Sequence, residues 1–205
     1  MITARGPGQR AGLTQEAVLT ASWELLNSAG AAALTMRALA RRLNVAPNAL
    51  YSHVANKNAL LDLLLDDLLA AIPAPTPDVN DPLAGLTDLM TATYQTLIAH
   101  PDLVPLYLAR QGSRGPNAVR LGRVMDALLA RAGANPADAA QARRVLIIHT
   151  IGSAAFATAA PAEPDSDRPL SLRESAHAFT RSLRWLLAGV TQDADIVDNG
   201  GLNRP

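Results

Sequence analysis

The chain has 205 residues, 49% of them hydrophobic, only 3% aromatic and none cysteine, with a formal net charge of zero. These figures exclude a disulfide framework and a thiolate metal site, and they leave Leu and Ala to build the core. Both are good helix formers and strand-favouring runs are absent, so the composition points to an all-α protein, one large domain or a small one joined to a medium one.

The zero balance is uneven. Up to Lys57 the chain has six basic residues (Arg5, Arg10, Arg37, Arg41, Arg42, Lys57) and two acidic ones (Glu16, Glu24); the remainder has 12 basic and 16 acidic. A basic head on a mildly acidic body suits an anionic partner such as DNA, although chance produces the same imbalance.

Residues 1–13 are rich in Gly, Pro and Arg without an apolar stretch, and are read as a flexible arm rather than a signal peptide. Helix 1 is predicted from Thr14, whose hydroxyl can cap free N–H groups, to Gly30, with Val18, Ala21, Leu25 and Leu26 on one face. Helix 2 covers 36–43, capped by Thr35, with Met36, Leu39, Ala40 and Leu43 inward; Asn44 can take the left-handed backbone of a sharp turn. Pro47 opens helix 3, expected to reach about His53. Asn56 caps helix 4, which carries Leu60, Leu61, Leu64, Leu65 and Leu68. The proline-rich stretch 73–77 cannot continue a helix and is read as the domain junction. Asp81 and Pro82 start helix 5, which Pro101 ends; helix 6 covers about 103–110; residues 112–115 are a break. Pro116 opens helix 7, which ends at Gly133. Asn135 and Pro136 open helix 8, to about Ala159. Residues 161–169 read as a polar loop. Ser171 and Glu174 form a capping box for the last helix, to about Ala188, followed by a polar tail over 191–205. The domains are therefore expected at 14–72, a three-helix helix-turn-helix domain including connecting helix 4, and 81–190, a helical bundle.

Residues 35–54 have helix-turn-helix spacing. The apolar pattern holds two short helices against helix 1 and leaves Arg37, Pro47, Asn48, Ala49 and Ser52 outward. Arg37 could contact guanine and Asn48 adenine; Tyr51, His53 and Lys57 are spaced to meet phosphates. Any two short helices in a bundle can give this pattern, so the spacing alone leaves both readings open.

The run from Leu34 to Val54, LTMRALARRLNVAPNALYSHV, followed by Asn56-Lys57 and Ala59-Leu60-Leu61-Asp62, resembles the tetracycline-repressor family signature, most diagnostically in Leu50-Tyr51-x-His53-Val54-x-Asn56-Lys57. The resemblance implies that Tyr51, His53 and Lys57 hold phosphates and that Thr35, Arg37, Pro47 and Asn48 lie at the DNA. Asn44 stands where Gly is common. Ala46 stands where a Ser cap is common, which implies a frayed helix 3 and a lost phosphate contact. Farther on, Ala99-His100-Pro101 and Gly115-Pro116-Asn117-Ala118-Val119-Arg120-Leu121 resemble the branch with a tetracycline-repressor-like C-terminal domain. That implies an effector pocket within helices 5 to 8 and dimerisation through helix 8 and the last helix. The metal-ligating histidine of tetracycline binders has no clear counterpart, and 103–108 is apolar, so a magnesium–tetracycline ligand is not expected.

On this reading the protein is a dimeric, cytoplasmic DNA-binding regulator, a repressor released from a palindromic operator by a largely hydrophobic small molecule. The expected pocket lining is Met90, Tyr94, Leu97, His100, Leu103, Tyr107, Arg110, Met125, His149 and Phe156. The expected dimer interface is Ile148, Ile151, Gly152, Ala155, Phe179, Leu183, Leu186 and Leu187. The histidines at 53, 100, 149 and 177 lack ligand spacing, so no metal and no cofactor is expected. His149 also reads as a core or interface residue, and Trp23 and Trp185 as packing residues. Residues 145–162 carry no charge, yet His149, Thr150, Gly152, Ser153 and Thr158 dilute the run and Pro161 ends it, so a buried helix interface fits better than a membrane span. No Walker loop, nucleophile elbow or HExxH motif is present, and no enzyme is expected. A helical small-molecule binder without DNA function is the competing class; Tyr51, His53 and Lys57 argue against it.

Overall fold

The computed structural model describes residues 13–110, 115–159 and 170–199, the last nine of these by backbone only. The first twelve residues of the expected arm, residues 112–114 of the break, the loop 161–169 and the tail beyond Asn199 lie outside the described residues. Among the described residues there are nine α-helices and no strand. They fall into two compact units, Met1–Leu64 and Leu65–Pro205. The division lies within the fourth helix, ahead of the 73–77 stretch expected as the junction.

The first unit holds α1 (Gln15–Ala33), α2 (Met36–Arg42), α3 (Pro47–Leu50) and the start of α4 (Lys57–Ala70). Thr14 and Thr35 cap α1 and α2, their hydroxyls accepting from the N–H groups of Ala17 and Ala38 at 3.1 Å each. α1 breaks where expected, at Gly30, whose φ of 74° suits a residue without Cβ, and a further turn follows to Ala33. α2 ends in a Schellman motif: Val45 N–H donates to Ala40 O at 3.0 Å and Asn44 N–H to Arg41 O at 3.2 Å, with Asn44 at φ 51°. α3 is a single regular turn; the chain continues through Tyr51–His53 as turns, with His53 and Val54 N–H both on Leu50 O at 2.9 Å. At its other end, Ala46 offers no side-chain cap. Val18, Ala21, Leu26, Leu34, Leu39, Leu50 and Val54 close the core.

The second unit continues α4 and adds α5 (Pro82–Ala99), α6 (Val104–Ala109), α7 (Pro116–Arg131), α8 (Ala139–Thr158) and α9 (Leu172–Asn199), with a 3-10 turn at Pro101–Leu103. Asp81 caps α5 through Leu83 and Ala84 N–H, at 2.9 and 3.0 Å. α7 ends in a second Schellman motif around Gly133, φ 86°. α8 starts three residues after Pro136, because Asn135 Oδ1 first holds Ala137 N–H in a turn. The Ser171–Glu174 capping box forms in full: Ser171 N–H donates to the Glu174 carboxylate at 2.8 Å, and Glu174 N–H donates back to Ser171 Oγ at 3.2 Å. α9 outruns its expected end at Ala188. Residues 190–199 contain neither Pro nor Gly, and polarity alone does not stop a helix. The core is built from leucines of α4, α5, α7 and α8, with Tyr94 of α5 stacked on Phe179 of α9 at 4.4 Å between ring centres. Among the described residues no helix is long and apolar enough to cross a membrane.

Candidate nucleic-acid interface and effector cavity

In the first unit, Leu39 and Ala40 seat α2, and Leu50 and Val54 seat α3 and its following turn, all inside the core. This anchoring leaves Thr35, Arg37, Pro47, Asn48, Tyr51 and Lys57 exposed and His53 half-buried. Tyr51 is a large aromatic ring 50% exposed. Not every nearby polar group is equally available. The Thr35 hydroxyl already caps α2, Ser52 Oγ donates to Ala49 O at 2.8 Å, and Arg42 Nε donates to Glu24 at 2.8 Å. The ion pair subtracts one cation from the basic head. Arg37 and Lys57 make no ion pair among the described residues.

The second unit holds a partly open cavity of about 410 Å³. Its walls come from four faces read at helical spacing: Leu89, Met90 and Thr93 of α5; Ala118, Leu121, Gly122 and Met125 of α7; Arg143, Ile147, Thr150 and Ile151 of α8; and Leu69 of α4. Tyr107 of α6 and the α7 side chains Val119, Arg123 and Asp126 complete it. A volume of this size, mostly apolar with a few polar groups, suits a small organic molecule.

The segment 18–64 matches the model of the family described as "Bacterial regulatory proteins, tetR family". The class D tetracycline repressor protein of Escherichia coli is 32% identical over 201 residues, covering 86% of this chain and 88% of that protein. The chain belongs to the tetracycline-repressor family. An HTH-type transcriptional regulator of Saccharopolyspora erythraea is 33% identical over 141 residues, 69% of this chain but only 59% of that protein's length. The solved structure of BioQ with its double-stranded DNA operator superposes with a TM-score of 0.70 at 27% identity, over 87% of this chain and 98% of that one; BioQ is a Mycobacterium smegmatis protein.

In this family member the residues expected at the pocket divide four ways. Met90, Tyr107 and Met125 line the cavity. Tyr94, Leu97 and Leu103 are buried in the core and do not line it, while His100 and Arg110 are half-buried caps closing α5 and α6. Phe156 is 82% exposed and His149 half-buried; both belong to a separate groove between α8 and α9. On α8, Ile147 and Ile151 face the cavity of about 410 Å³, and Phe156 falls on the opposite side. His149 stacks on Phe179 with 5.3 Å between ring centres, and its Nε2 lies 3.0 Å from Ser182 Oγ.

The residues expected at a dimer interface divide as well. Ile148 and Gly152 are exposed, and Ala155 and Leu186 half-buried. Ile151, Phe179, Leu183 and Leu187 are buried inside the protomer, Ile151 at the cavity wall. Trp185, read as a packing residue, is 63% exposed with the Arg181 guanidinium 5.2 Å above its ring. Sequence reasoning missed Trp185, Leu170 and Leu172 as surface hydrophobics and Arg143, Asp126 and Arg123 at the cavity. The i, i+4, i+7, i+8 stripe Arg143-Ile147-Thr150-Ile151 was the signal for Arg143.

Proposed function

We propose that this chain is a ligand-released repressor that binds a palindromic operator as a homodimer and acts in the cytoplasm without enzymatic activity. The observation that carries the reading is the first unit's surface: Arg37, Pro47, Asn48, Tyr51 and Lys57 stand exposed around a helix-turn-helix whose Leu39, Ala40, Leu50 and Val54 are buried in its own core. A short helix opening with Pro47, Asn48 and Ala49 can approach the major-groove floor, where Arg37 and Asn48 read bases and Tyr51, His53 and Lys57 hold phosphates. The cavity of the second unit supports a small-molecule effector, and the class D tetracycline repressor and operator-bound BioQ support repression through DNA. The exposed Ile148, Phe156 and Trp185 support a second copy packing there, and two identical reading heads match an inverted repeat. Release follows if the effector binds the form that DNA does not. Selection from random duplex DNA tests the reading: an inverted-repeat consensus bound at about 10⁻⁸–10⁻¹¹ M supports it, and sequence-independent binding refutes it.

A further inference from the structure

We propose that the cavity of the second unit takes an amphipathic acid, an apolar body of small-molecule size bearing one carboxylate that Arg143 receives. The inference rests on the effector reading above and gives the effector its chemistry.

The buried Leu89, Met90, Leu121, Met125 and Ile151 and the half-buried Ile147 offer only apolar contact. The two threonines on them offer no free proton. Thr93 Oγ1 donates to Leu89 O and Thr150 Oγ1 to Leu146 O, each at 2.8 Å. A hydroxyl has one proton to give, so these two can only accept. Cationic donors come from Arg123 and Arg143, and Asp126 is the single carboxylate beside them. Two guanidinium groups against one carboxylate leave the cavity lining one positive charge in surplus.

Arg143 is held but not used up. Its Nη1 donates to Asp126 Oδ2 at 2.5 Å, which engages one of five N–H donors of a planar fork suited to carboxylates. Position 122 is a glycine, and a Cβ there would come within 3.7 Å of Nη1, so α7 puts no side chain against the guanidinium at that point. The Arg143–Asp126 pair is 36% and 45% exposed on its two side chains, and a pair so exposed contributes little stability. Its consequence is orientation: Arg143 is pre-aimed at the cavity, which lowers the cost of receiving an anion. Arg123, exposed on the next position of α7, has no ion-pair partner among the described residues and adds a second cation. A cationic ligand meets two like charges here, and a dianion meets Asp126; a single negative charge satisfies the set.

The test uses two fluorescent probes of equal shape, 9-anthracenecarboxylate and 9-anthracenecarboxamide, titrated into the full chain at pH 7. The acid is expected to bind at least tenfold more tightly than the amide. Arg143→Gln should abolish that preference while changing amide affinity less than twofold, and Asp126→Asn, which removes the competing negative charge but keeps an amide oxygen to orient Arg143, should raise acid affinity several-fold. Met125→Trp, which fills the cavity, should block both probes. Melting curves establish that each variant folds, and Asp126→Asn is an independent arm should Arg143→Gln not fold. Equal affinity for acid and amide overturns the anionic site and leaves the effector cavity standing. Binding of neither probe, or binding that survives Met125→Trp, overturns the cavity reading and this inference with it.

Discussion

The carboxylate of Asp66, buried on α4, accepts the backbone N–H of Asn117 in the first turn of α7, at 3.1 Å to one oxygen and 3.2 Å to the other. Ala118 N–H adds a bond at 3.1 Å and Asn117 Nδ2 one at 3.0 Å. A helix start leaves N–H groups unpaired and carries partial positive charge, and here a carboxylate from another helix satisfies both needs. The reverse tie is Arg120, which donates to Leu69 O at 3.2 Å at the end of α4. Gly115 is required by this closeness, since a Cβ there would lie 2.3 Å from Asp66 Cγ. Asp66→Ala is expected to cost about 1–3 kcal/mol, because it strands several donors at once. Gly115→Ala should destabilise as well, by forcing the carboxylate away. Urea unfolding at fixed protein concentration measures both; an unchanged midpoint for Asp66→Ala would contradict this role of Asp66.

Tyr94 predicts the opposite sign. Its hydroxyl is buried without a hydrogen-bond partner among the described residues, and burial raises its pKa above the usual value of 10.0. Removing an unsatisfied hydroxyl while keeping the ring stacked on Phe179 should leave stability unchanged or raise it by up to about 1 kcal/mol. The unfolded chain ionises this phenol near pH 10 while the folded one keeps it protonated. Stability is therefore untouched below pH 10 and falls as pH rises beyond it. Tyr94→Phe should remove that part of the alkaline slope. Urea midpoints at pH 7.5 and 10.5 decide; a loss above about 1 kcal/mol at pH 7.5 would mean the hydroxyl has a partner.

What was legible in the sequence was local. Thr14, Thr35, Asn56, Asp81 and the Ser171–Glu174 pair cap their helices because a cap needs only a side chain and the backbone two or three residues on. Asn44 could be read for the same reason. The faces of α8 could not. Ile148 and Ile151 lie about 60° apart around a helix with 3.6 residues per turn, and both are apolar. Only packing decides that Ile151 lines the cavity while Ile148 stays 62% exposed. Arg143 was missed because a charged residue on a helix reads as solvent-facing, and Trp185 because an aromatic reads as core.

Lys57 and Arg37, both exposed on the first unit, should differ in kind. Lys57→Ala is expected to weaken all duplex sequences about equally and to lower the salt slope by roughly one per subunit. Arg37→Ala should cost about 1–3 kcal/mol per base contact and relax one position in each half-site. Binding of operator and scrambled duplexes across a salt series separates them. Equal losses on both duplexes for Arg37→Ala would reduce it to a phosphate contact.

The groove between α8 and α9 predicts how the proposed dimer breaks. Ile148, Phe156 and Trp185 are 62, 82 and 63% exposed, a concentration of large apolar side chains that a lone protomer would keep in water. Each stabilises a dimer by about 25 cal/mol for every Å² of apolar surface it buries. Phe156→Asp should therefore give a folded monomer at micromolar concentration in light scattering, and with it a loss of operator affinity, because one half-site holds one head. Ile151→Asp should behave differently, since Ile151 is buried at the cavity wall: a charge there unfolds the protomer rather than parting two intact ones. Circular dichroism alongside the scattering distinguishes the two. A Phe156→Asp protein that remains dimeric would place the interface on another face.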